Sequence, residues 1–91
     1  MRLSAEWITL ADERILEYLR KSKSGTPTKM ADHENVHFSR SYLSKRCKVL
    51  VDYGLIEDYG NAVFVLTDRG KAYLAGELNL NGLRRLTPFI P

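Results

Sequence analysis

Residues Ser39-Arg40-Ser41-Tyr42-Leu43-Ser44-Lys45-Arg46-Cys47-Lys48 hold four bases and no acid. Cations interleaved with hydroxyls hydrogen-bond phosphate oxygens and base edges, which is the chemistry of nucleic-acid contact rather than of bond breaking. Over the whole chain the imbalance is mild: 14 Lys and Arg against 11 Asp and Glu leave a net charge of +3. The sequence pI near 9.2 permits a polyanionic partner without requiring one. Position is more telling. Residues 1–22 and 55–91 each balance four bases against four acids, whereas residues 23–53 carry Lys23, Lys29, Arg40, Lys45, Arg46 and Lys48 against Asp32, Glu34 and Asp52. On charge alone, a solvated helix face with clustered bases is the competing interpretation.

The other reactive side chains lack partners for chemistry. His33 and His37 are four apart, with Asp32 and Cys47 as potential co-ligands. A helix end is predicted between the two histidines, which removes the shared helical face that a metal pair needs. Cys47 falls on an apolar stripe, where a thiol behaves as a small hydrophobe; a nucleophile needs exposure and a base. As the single cysteine it allows neither an internal disulfide nor a cysteine-built zinc site. Gly60 and Gly70 form no phosphate-cradling loop. Lys45-Arg46 and Arg84-Arg85 are too short for a membrane patch. Tyr42, Tyr53 and Tyr59 could stack on bases, yet at helical or strand spacing they read first as core-edge residues. The expectation is therefore no catalytic residue, no cofactor and no metal, and a chain of 91 residues leaves little room for a substrate cleft. It should not be an enzyme.

With 44% hydrophobic and 27% charged residues the chain has the balance of one folded domain spanning residues 1–91, with a core at about 7–78. No apolar run approaches the roughly 18–20 residues that span a bilayer, and the start lacks a signal-peptide core, so a cytoplasmic, non-membrane protein is expected. Thr9-Leu10-Ala11-Asp12 has the spacing of a capping box, and Ile8, Ala11, Ile15, Leu16 and Leu19 follow at helical intervals. That predicts a first helix ending near Ser22. Residues 23–27 break it, and Thr28 is placed to cap a short second helix through Glu34. Asn35-Val36-His37-Phe38 reads as a tight turn and Ser39 as the cap of a third helix. There Leu43, Cys47, Leu50, Val51 and Gly54 fall within about 100° of one another. Two β-forming runs, 55–59 and 62–66, flank Gly60-Asn61 and predict a hairpin with a two-residue turn. Thr67-Asp68 opens a fourth helix.

Leu50-Val51-Asp52-Tyr53-Gly54-Leu55-Ile56, followed after the hairpin by Leu66-Thr67-Asp68-Arg69-Gly70, resembles the Leu-x-x-x-Gly-Leu-Ile and Leu-Thr-x-x-Gly pattern of MarR-like and PadR-like winged-helix transcription regulators. With Trp7 and Tyr42-Leu43-Ser44 added, the chain is most similar to small archaeal winged-helix proteins akin to the phage phi-H repressor. The resemblance covers roughly residues 7–78. It implies an α+β winged helix-turn-helix: a three-helix core, a two-stranded wing and a C-terminal helix. It further implies a regulator of transcription in which residues 39–53 lie in the DNA major groove, the wing approaches the neighbouring backbone, and Thr28 with Lys29 bring the second helix near a phosphate.

The expected contact set on double-stranded DNA is then Thr28, Lys29, Ser39, Arg40, Ser41, Tyr42, Ser44, Lys45, Lys48 and, at the wing tip, Asn61. Lys45 is the first choice for reading a base and Ser41 the second, because both point away from the apolar stripe. Glu57 and Asp58 beside the wing tip repel phosphate, so the wing should add little affinity. Leu78, Leu80, Leu83, Leu86, Phe89 and Ile90 make the tail apolar, which predicts either a homodimer through 79–91 or a tail folded back on the first helix. Nothing in the sequence marks a small-molecule effector. The alternative to a DNA-binding repressor is a winged helix used as a protein-protein module in a transcription assembly, favoured by the acidic wing.

Overall fold

A computed structural model describes residues 8–33 and 36–77. Its elements run α1 (Leu10–Ser22), β1 (Ser24–Gly25), α2 (Pro27–Ala31), α3 (Arg40–Asp52), β2 (Ile56–Asp58), β3 (Phe64–Leu66) and α4 (Asp68–Leu74). The expected α+β winged helix is present. The tail at 79–91, which carries the dimer expectation, and Glu34 with Asn35 lie outside the described residues. Among those described, no helix is long and apolar enough to cross a membrane.

The capping box at α1 forms as its spacing requires: Asp12 N donates to Thr9 Oγ1 at 3.3 Å, and Thr9 N donates to Asp12 Oδ2 at 2.8 Å. Ala11, Ile15, Leu16 and Leu19 then face the core, where Met30, Val36, Leu43, Cys47, Leu50, Leu55, Ile56, Phe64, Leu66, Tyr73 and Leu74 meet them. Ser39 caps α3 by accepting from Tyr42 N at 3.3 Å.

Three local expectations need correction. The cap of α2 is Thr26, not Thr28: Thr26 Oγ1 accepts from Lys29 N at 3.2 Å and Pro27 opens the helix. Proline at the first helical position has φ preset and no N–H to satisfy, which moves the cap one residue before it. The helix then ends at Ala31, before both histidines, because the chain must turn to bury Val36. Second, the sheet has a third strand. β1 pairs antiparallel with β3, Ser24 opposite Val65 and Gly25 opposite Phe64, in the order β1-β3-β2. A two-residue strand is too short to leave a periodic pattern; only the partner strand defines it.

Third, the wing turn is centred one residue later than Gly60-Asn61. Val63 N donates to Gly60 O at 3.0 Å, so Asn61 and Ala62 are the central residues, with φ of +55° and +61°. Positive φ at both is the signature of a type I′ turn. Alanine carries a Cβ into that left-handed conformation at a cost of about 1–2 kcal/mol. Ala62→Gly should therefore stabilise the protein by about 0.5–1 kcal/mol, the gain being reduced by glycine's greater freedom in the unfolded chain. Urea denaturation of the two proteins checks the sign.

The joint between α3 and α4 explains the Leu-x-x-x-Gly-Leu-Ile and Leu-Thr-x-x-Gly pattern. Gly54 closes α3 with φ +76°, a left-handed position that favours glycine. Thr67 Oγ1 donates to Gly54 O at 2.6 Å while accepting from Gly70 N at 3.1 Å, and Thr67 N donates to Leu55 O at 3.2 Å. Gly70 is buried against that same carbonyl: a Cβ there would lie 2.2 Å from Leu55 O. The two ends of the hairpin are thus tied together where helices flank it.

Candidate functional site

Along α3 the turn of about 100° per residue puts Leu43, Cys47 and Leu50 on one side and Ser41, Ser44, Lys45 and Lys48 on the other. The first three are fully buried, Ser44 is half-buried, and Ser41, Lys45 and Lys48 are exposed. At the start of this outer face is an open notch of about 480 Å³, bounded by residues 26–28, by Arg40, Ser41 and Ser44, and by Asn61 and Ala62 of the wing tip. Five expected residues therefore share one concave surface: Thr28, Arg40, Ser41, Ser44 and Asn61. Among the described residues, no carboxylate lines it. Both α2 and α3 begin here, and the free N–H groups and positive dipole end of a helix start favour an anion.

The remaining expected residues do not line this notch. Lys29, Lys45 and Lys48 are exposed but do not line it. Ser39 is committed to capping. Tyr42 is 38% exposed and its ring leans on Phe38, centroids 5.8 Å apart at 43°. Sequence reasoning missed Thr26, Pro27 and Ala62; the signal for the first two was the proline, which fixes where the helix starts.

Arg46, the fourth base of the acid-free stretch, serves a different purpose. Its Nε donates to Asp12 Oδ1 at 2.8 Å and its Nη2 to Oδ2 at 2.6 Å, a two-pronged clamp from α3 to α1. Asp12 is fully buried and the Arg46 side chain only 19% exposed. The hydrogen bonds to the carboxylate raise the guanidinium pKa against the opposing effect of burial. The outer face of α3 therefore presents Arg40, Lys45 and Lys48, not four bases.

Cys47 sits one residue on, fully buried as its place on the stripe predicted. Burial pushes its thiol up from an ordinary 9.0 to about 12, with the Asp12 and Asp58 charges acting in the same direction. Below pH 9 the thiol is protonated in folded and unfolded chains alike, so it gives no slope. Between pH 9 and 12 only the unfolded chain releases the proton, and stability falls as pH rises, by at most about 1.4 kcal/mol per pH unit. The stability advantage of wild type over Cys47→Ala, measured by urea unfolding, should shrink across that window; a constant difference would contradict the assignment. Among the described residues no group of three or more His, Cys, Asp or Glu is placed to hold a metal.

Comparison with known proteins bears on this arrangement. Residues 1–85 match the winged helix-turn-helix phage repressor family. The chain belongs to that family. The repressor protein of Halobacterium phage phiH is 36% identical over 88 residues, covering 93% of this chain and 99% of the relative. The crystal structure of the PhiH1 repressor-like protein from Haloarcula marismortui superposes with a TM-score of 0.89 at 37% identity, covering 94% of this chain and 98% of that one. In this phage repressor family member, the expected fold and the expected family are both present.

Proposed function

We propose that this phage repressor family member is a cytoplasmic, sequence-specific, double-stranded DNA-binding transcription regulator, a repressor that occupies its site as a homodimer with α3 in the major groove. The observation that carries the reading is the outer face of α3: Arg40, Ser41, Ser44, Lys45 and Lys48, free of carboxylates from Ser39 to Lys48, opening at a notch where two helices begin. A helix of this width fits the major groove, and lysine and serine can hydrogen-bond base edges there. Lys45 reads a base and Ser41 assists; Arg40 and Lys29 hold phosphates, with Thr28, Ser39, Tyr42 and Asn61 at the edges of the contact. The relatives' own descriptions, a repressor and a repressor-like protein, support the regulatory role. Two copies supply the two half-sites from which repressors of this size gain affinity, and the apolar residues of the tail support the pairing. The protein performs no catalysis in this role.

Binding to duplex selected from random sequence, followed across a salt series, tests the proposal. Lys45→Ala should cost about 1–3 kcal/mol on the selected site and relax preference at one base pair, with melting temperature unchanged. Lys29→Ala should weaken all sequences alike and reduce the salt slope by about one per protomer. If Lys29, Arg40, Lys45 and Lys48 can all become Ala without loss of affinity, the DNA reading fails and the protein-module alternative replaces it. A monomer by light scattering, with and without DNA, would remove the homodimer alone.

A further inference from the structure

The tip of the wing stands clear of the rest of the fold: residues 59–62 are exposed, and a Cβ added at Gly60 would meet nothing within 4 Å. Packing therefore does little to set its conformation, although Gly60, Asn61 and Ala62 hold φ of +94°, +55° and +61° in succession, a run that needs restraint. Hydrogen bonds supply it. Tyr59 N donates to Val63 O at 2.9 Å and Val63 N to Gly60 O at 3.0 Å, both main chain to main chain. The shortest bond at the tip comes from a side chain: Asp58 Oδ1 accepts from Gly60 N at 2.7 Å, with its charge strengthening the contact. The two acids of β2 are thus not equivalent, because Asp58 turns its carboxylate back into the turn. That turn carries Asn61 to the notch, which it shares with Arg40, Ser41 and Ser44 of α3.

We propose that Asp58 is a positioning residue for the DNA contact: its carboxylate locks the wing tip so that the Asn61 amide is presented to a base edge at the notch. The inference rests on the DNA-binding reading above. An amide donates and accepts at once, so it distinguishes base edges when its direction is fixed. An unlocked tip samples other conformations, and apparent affinity falls with the fraction of time spent in the competent one. Removing Asp58 then has two opposed effects. Loss of a negative charge near phosphate strengthens binding to every sequence, whereas loss of the lock weakens binding only where Asn61 reads a base. Repulsion alone requires all neutral residues at position 58 to act alike; positioning requires them to differ by whether they can accept from Gly60 N.

Asp58→Asn and Asp58→Ala separate the two effects, since both remove the charge while asparagine alone keeps a side-chain oxygen for Gly60 N. In the free full-length protein, the Gly60 amide resonance and its exchange protection should survive in Asp58→Asn and be lost in Asp58→Ala; an unchanged Gly60 amide in Asp58→Ala would overturn the lock. On duplex selected from random sequence, Asp58→Ala should bind about threefold or more weaker than Asp58→Asn, while the two bind random duplex alike. Repeating the pair in an Asn61→Gly background, where glycine suits the positive φ but has no amide side chain, should erase the difference. Equal discrimination by the Ala and Asn variants, or a difference that persists with Asn61→Gly, would overturn the positioning role. A wild type with no preference for the selected duplex over random would remove the DNA reading and the positioning role with it, whatever the Gly60 amide shows.

Discussion

Arg46→Ala should destabilise the protein by about 3–5 kcal/mol, a large share of the roughly 5–10 kcal/mol that a domain of this size has in total. Among the described residues, the substitution leaves the fully buried Asp12 carboxylate with only the Thr9 N–H bond at the capping box, and a buried charge stripped of its cation is far more costly than a broken surface pair. Arg46→Lys keeps the charge but not the two-pronged geometry, and should fall between. Replacing both partners with apolar residues, Asp12→Leu with Arg46→Met, should recover most of the loss, less about 1 kcal/mol for the helix cap that Asp12 also completes. Urea unfolding of the four proteins reads this order directly. A stable Arg46→Ala protein that has lost DNA binding would instead return Arg46 to the nucleic-acid face.

Gly70→Ala is the second large effect, a loss of about 3 kcal/mol or more. The added methyl would sit 2.2 Å from Leu55 O and 2.6 Å from Leu66 Cδ1. A side chain can swing aside, but the Leu55 carbonyl is main chain and already accepts from Thr67 N, so the start of α4 must back away from the hairpin. Far smaller costs attend overpacking where only side chains must yield. The contrast with Ala62→Gly, where removing a methyl helps, separates close approach from backbone conformation as reasons for glycine. If Gly70→Ala melts with wild type, α4 is not clamped at this joint.

Helical phase made α1, α3 and the buried stripe of Leu43, Cys47 and Leu50 legible, because burial repeats with the helix and survives in a single sequence. The hairpin was legible as two β-forming runs, though its turn was not, since Gly60 looked like the natural site of positive φ while Asn61 and Ala62 take the central positions. What stayed hidden depended on distant partners. Asp12 was read only as a cap; yet it falls at about 200° on the α1 wheel, amid Ala11, Ile15, Leu16 and Leu19, and an acid in the middle of an apolar stripe demands a cation from elsewhere. That phase was available, whereas the identity of the cation, 34 residues on, was not. Ser24-Gly25 likewise has no strand signal apart from the strand it joins. The expected contact residues Thr28, Arg40, Ser41, Ser44 and Asn61 were nominated from a family pattern and from charge, and the fold brings these five to one notch. Their common surface could not be read from spacings of up to 33 positions.

The strand order also bears on how copies of this protein behave toward one another. With β3 in the middle, β1 and β2 each turn one side outward, and an outward strand edge is a template for pairing with the same edge of another molecule. β1 is only two residues long and offers little purchase. β2 is longer, three residues, and two of them are the exposed Glu57 and Asp58. Two such edges brought side by side would bring the Glu57 and Asp58 carboxylates of the two molecules together. Glu57 and Asp58 thus guard the sheet against growing from one molecule into the next, and replacing them with neutral residues would cost solubility.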